Sequence, residues 1–77
     1  MSIQIKIFGQ LAEITGNNEL HLQNVSDTDS LRKKLVSDYS KLQHCSFVIA
    51  VNKKIVTENL PLNAGDVVAL LPPFAGG

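Results

Sequence analysis

The chain has one cysteine, no tryptophan and no net charge. A single thiol excludes an internal disulfide and any metal site built from several thiolates. Cys45 therefore reads as a small buried or half-buried hydrophobe, and its neighbours His44 and Ser46 give only weak support for a reactive thiol. Seven basic and seven acidic side chains cancel, which leaves no long-range field to attract nucleic acid or an anionic membrane. Neither partner is expected. No apolar run approaches the length of a signal segment or a membrane span, and Met1 leads straight into a strand pattern, so a cytoplasmic protein is expected. His21 and His44 stand too far from other ligands to suggest a metal site or a catalytic triad. At 77 residues there is room for one domain, 1–77, near the lower limit for a core without staples.

What is present is 44% hydrophobic residues in clear periods. From Ser2 to Phe8, Ile3, Ile5 and Ile7 alternate with Gln4, Lys6 and Phe8, the pattern of a half-buried strand with its isoleucines inward. Gly9 breaks the run. Gln10 to Ile14 then suits one helical turn, and Gly16, Asn17 and Asn18 suit a reversal. Glu19 to Val25 reads as a second strand, antiparallel to the first, with Leu20 and Leu22 inward and His21 in solvent. Ser26 and Asp27 are both candidate N-caps for one long helix carrying Leu31, Leu35, Val36, Tyr39 and Leu42, with Arg32, Lys33, Lys34 and Lys41 solvated. Phe47 to Asn52 is a buried strand, Asn52, Lys53 and Lys54 turn the chain, and Ile55 with Val56 offers a short partner. Thr57 to Leu62 is a crossing loop, Asn63 to Asp66 a turn, and Val67 to Leu71, apolar throughout, a central strand.

These elements predict an α+β domain: a mixed sheet of about four to five strands packed on one main helix. One amphipathic helix covers one face of such a sheet. Phe8 points opposite to the isoleucines, and alternate residues of the last strand must follow it, so an exposed apolar patch is expected on the other face, as at a protein partner site. Alternatively, the crossing loop folds over that face.

Pro72, Pro73, Phe74, Ala75, Gly76 and Gly77 follow the last strand. Two prolines remove donors from the ladder and two glycines carry no side chain to anchor, so a flexible arm of about 73–77 is expected. Such an arm presents a slender carboxylate to another protein's active site. The plainer reading is a frayed terminus.

Three stretches resemble the β-grasp sulfur carriers, the ubiquitin-like family that includes the small subunit of molybdopterin synthase. They are Phe8-Gly9-Gln10-Leu11-Ala12-Glu13-Ile14-Thr15-Gly16, Ala50-Val51-Asn52, and Pro61-Leu62-Asn63-Ala64-Gly65-Asp66-Val67-Val68-Ala69-Leu70-Leu71-Pro72-Pro73-Phe74-Ala75-Gly76-Gly77. The likeness spans the chain. Its specific part is the run from Gly65-Asp66 through both prolines to Gly-Gly.

The resemblance implies a sulfur-donor subunit whose active site lies in a partner. An E1-like enzyme, using ATP, would adenylate the carboxylate of Gly77, and a persulfide-derived sulfur would replace AMP to give a thiocarboxylate. The chain itself would bind no cofactor. Its partners would be that adenylating enzyme and the large molybdopterin synthase subunit, in a heterotetramer, where sulfur passes to cyclic pyranopterin monophosphate. Gly77 would be the acyl carrier, with Gly76, Ala75, Phe74, Pro73 and Pro72 as the threading arm and Phe74 at the mouth of the partner's channel. Phe8, Leu60 and Leu70 are the candidate docking residues. Thiamine-pathway sulfur carriers and ubiquitin-like protein modifiers share fold and tail and remain alternatives, as does an interaction domain whose Gly-Gly has no role.

Overall fold

The computed structural model describes residues 2–73. The alternation at its start makes β1 (Ser2–Ile7), and Gly9 releases the chain into a single turn, α1 (Gln10–Thr15). The hairpin closes with β2 (Glu19–Gln23), followed by the main helix α2 (Thr28–Asp38), then β3 (Val48–Val51), β4 (Lys54–Val56) and β5 (Val67–Leu71). The five strands form one sheet in the order β2-β1-β5-β3-β4. Only the β1–β5 pair is parallel, which makes the sheet mixed.

Register decides which residues share a face. Ile3 stands opposite Leu22, Ile5 opposite both Leu20 and Val68, Ile7 opposite Leu70, and Leu70 opposite Ile49. This row is the floor of the core. Leu31 and Leu35 of α2 pack on it together with Leu11, Val25, Leu42, Phe47 and Leu62. The fully apolar β5 does lie centrally, between β1 and β3.

Four local expectations need correction. The long helix stops at Asp38, because Tyr39 leaves the helical region (φ −128°, ψ 85°), and Leu42 reaches the core from a separate 3₁₀ turn, Ser40–His44. β2 ends at Gln23, since Asn24 takes a left-handed turn (φ 63°) that sends Val25 inward. Phe47 precedes β3 and packs in the core, with the Arg32 guanidinium 4.8 Å from its ring centroid. Arg32 therefore does more than face solvent. Finally, Leu70 is fully buried and cannot belong to a docking patch. In an all-apolar strand the parity is invisible, and pairing with Ile7 and Ile49 turns Leu70 under the helix.

The crossing loop is tied to the start of α2, on the helix side. Thr28 N donates to Leu60 O at 2.9 Å, Leu60 N donates to Thr28 Oγ1 at 2.9 Å, and Leu62 N donates to Ser26 O at 2.9 Å. The opposite sheet face stays open.

Candidate functional site

The open face is built by the residues that alternate with the core row. Lys6, Ala69, Ala50 and Ile55 stand in register across β1, β5, β3 and β4. Two alanines in the middle make this strip low, and larger groups rise at its ends. Phe8 at one end is 46% exposed and Ile55 at the other 64%. Neither has a core neighbour to turn toward, because the helix lies on the other side.

A groove of about 420 Å³ lies at the Phe8 end, lined by Lys6, Phe8, Asn52, Lys53, Val67 and Ala69. Its far wall is the two-residue turn between β3 and β4. Asn52 and Lys53 both have positive φ (50° and 74°), the signature of a type I′ hairpin turn. Asn52 is tied on three sides: its N donates to Val67 O at 2.8 Å, its Oδ1 accepts from Val67 N at 3.0 Å, and its Nδ2 donates to Asp66 Oδ1 at 3.1 Å. Asp66 Oδ2 accepts in turn from Asn63 N at 2.8 Å. These bonds, the Asn63 amide foremost and the Asn52 amide second, hold the Asp66 carboxyl below its ordinary pKa. The turn cannot drift from the start of β5.

The root of the arm is fixed at the other end of β5, beside Phe8. Phe8 N donates to Leu70 O at 3.1 Å, which fastens the end of β1 to the end of β5. Gly9 follows with φ 62° and ψ −144°, and a Cβ there would lie 2.9 Å from Pro72 Cγ. A side chain is excluded both by the backbone angle and by that approach. Pro72 is half-buried and Pro73 exposed, and pairing ends at Leu71. The arm therefore leaves the sheet beside Phe8.

Of the other residues singled out in sequence, Leu60 is 41% exposed but lines a separate depression at the β4 edge, with Ile55, Val56, Thr57 and Glu58. Phe8 thus lies on the open face, whereas Leu60 sits in the crossing loop at the β4 edge, and the two share no pocket. Ile55 was missed: a three-residue strand carries too little alternation to assign its face, and only its pairing with Ala50 does so. Phe74, Ala75, Gly76 and Gly77 lie outside the described residues. His21 lies on the β2 edge, its Nε2 2.9 Å from Glu19 Oε2, and Cys45 Sγ donates to Lys41 O at 3.4 Å. Among the described residues no group of three or more His, Cys, Asp or Glu side chains converges, and no helix is long and apolar enough to cross a membrane.

The sequence matches the ThiS family over residues 5–77. It is 34% identical over 82 residues to the molybdopterin synthase sulfur carrier subunit of Mycobacterium tuberculosis, an alignment covering 100% of this chain and 99% of that protein. Among solved structures, the protein–protein complex of subunits 1 and 2 of molybdopterin-converting factor from Helicobacter pylori contains a chain that superposes with a TM-score of 0.74 at 26% identity, covering 100% of both chains. The small archaeal modifier protein 1 of Methanosarcina acetivorans superposes with a TM-score of 0.79 at 25% identity, covering 99% of this chain and 96% of that one. The architecture common to all of them is the ubiquitin-like β-grasp.

Proposed function

The chain belongs to the ThiS family, and from that premise we propose that it is the sulfur-carrier subunit of a molybdopterin synthase. The observation that carries this reading is the placement of the open apolar face beside the root of the arm. Phe8 lines the groove and its amide holds the end of β5, while Gly9 next to it receives Pro72. A partner seated on this face stands where the arm emerges.

The chemistry belongs to the carboxylate of Gly77. A free carboxylate accepts sulfur poorly because oxide would have to leave. On an E1-like enzyme the carboxylate attacks the α-phosphorus of ATP and pyrophosphate departs, leaving an acyl-adenylate. The outer sulfur of a persulfide then adds to the acyl carbon and AMP departs, leaving an acyl disulfide, and a thiol attacks its distal sulfur to release the thiocarboxylate and end as a disulfide. Gly76 and Gly77, without Cβ atoms, suit a narrow channel in the partner. There, in the large subunit, sulfur passes to cyclic pyranopterin monophosphate. The likeness to one subunit of the Helicobacter pylori complex supports a large-subunit partner. Phe8, Ile55 and Leu60 supply apolar contacts around the face.

Incubation with the E1-like enzyme, ATP and a sulfur donor should raise the intact mass by one oxygen-to-sulfur exchange, and addition of the large subunit with its pterin substrate should reverse it. A ladder of lysine conjugates instead would favour a protein modifier, the second reading, which the likeness to the Methanosarcina acetivorans protein supports. Transfer of sulfur to a thiazole synthase would reassign the chain to the thiamine pathway. An unchanged mass would refute all three.

A further inference from the structure

The groove beside Phe8 is apolar on its floor and basic on its rim. Val67 and Ala69 lie along its strand and Phe8 rises as its apolar wall, whereas Lys6 and Lys53 are exposed at its borders. Neither lysine forms an ion pair among the described residues, where the pairs are His21 with Glu19 and Lys34 with Asp38. Two carboxylates lie near the rim, and among the described residues neither is within ion-pair distance of Lys6 or Lys53. Glu19 stands opposite Lys6 across the hairpin, but its Oε2 is 2.9 Å from His21 Nε2. Asp66 gives one oxygen to Asn52 Nδ2 and the other to Asn63 N. Both carboxylates favour their ionised form, so the surroundings carry mixed charge, and the two lysines are the charged side chains that line the groove itself. Lys53 is also held in place, because it occupies a left-handed position (φ 74°) in the turn that Asn52 pins to β5. That position favours glycine, and here it presents a lysine.

We propose that Lys6 and Lys53 are specificity-determining residues that select a large synthase subunit presenting an apolar side chain to the groove and a carboxylate to each lysine. The inference rests on the sulfur-carrier reading, since β5, which lines the groove, runs directly into the arm that the large subunit receives. Charges placed at a rim around an apolar contact steer association and exclude partners with the wrong sign.

The test is a titration of the cognate large subunit with the wild-type chain, the double variant Lys6→Gln/Lys53→Gln and a control, Lys34→Gln, on the distant face of α2. The double variant should bind about ten-fold more weakly at low ionic strength, with the difference shrinking as salt rises, while its melting temperature is unchanged. The control should bind as wild type does. Equal affinity of wild type and double variant at both ionic strengths would overturn the proposal while leaving the sulfur-carrier reading intact. So would a double variant that keeps the large subunit but is no longer adenylated, because the lysines would then serve the other partner. Failure of the wild-type chain to bind the large subunit at all would overturn both.

Discussion

Leu70 and Phe8 lie two strands' ends apart in sequence but meet through one hydrogen bond, Phe8 N to Leu70 O, and their side chains go to opposite faces. Leu70→Ala should therefore cost ~2–5 kcal/mol of stability, the usual range for emptying a packed site. Phe8→Ala should leave the melting temperature close to wild type and weaken capture of the large subunit instead. Thermal melts beside a binding titration separate the two, and a collapse of stability in the Phe8 variant would place it in the core. Asp66 makes a pH prediction of definite sign. Its folded-state pKa is depressed by the Asn63 and Asn52 amides, so its contribution is fully present above the unfolded value and is lost as pH falls through the folded one. Melts taken from neutral to strongly acid solution should show a smaller acid-side loss in Asp66→Asn than in wild type, because the variant has no such charge to neutralise.

At the scale of elements, the start of α2 and the crossing loop form one unit. Asp27 caps the helix by accepting from Ser30 N at 2.8 Å, and Asn59 Oδ1 accepts from Asp29 N at 2.9 Å, so two side chains satisfy amides of the first turn. Thr28, almost fully buried, accepts from Leu60 N and thereby fixes where Leu60 emerges. Removing that acceptor in Thr28→Ala should cost ~1–3 kcal/mol and speed amide exchange at Leu60 and Leu62 ahead of the strands. Exchange that stays slow at Leu60 would mean that the backbone bonds from Thr28 N to Leu60 O and from Leu62 N to Ser26 O suffice to hold the loop. Asp27 was readable in the sequence as one of two candidate caps, with Ser26, whereas the part of Asn59, 30 residues from Asp29, was not. Nor was the helix end, because Val36, Tyr39 and Leu42 keep a helical spacing across the break, and only the position of the core shows that Leu42 arrives by a tighter turn.

For the whole molecule, the described part of β5 ends at Leu71, and among the described residues the core is built by side chains that precede Pro72. Deleting Gly77 should accordingly leave the melting curve unchanged and abolish thiocarboxylate formation, read by intact mass after incubation with the adenylating enzyme. Retained sulfur transfer would refute the carrier assignment. The sequence by itself determined the class of fold, since periods of two and of three to four assign strands and helix before any contact exists. It also determined the arm's composition, since prolines that cannot donate and glycines without Cβ act locally. Tertiary structure alone decided which apolar residues are available to a partner. Burial in a sheet depends on cross-strand register: that register sends Leu70 under α2, leaves Ile55 in solvent, sets Gly9 against Pro72, and draws Lys6 and Lys53, far apart in the chain, to one groove.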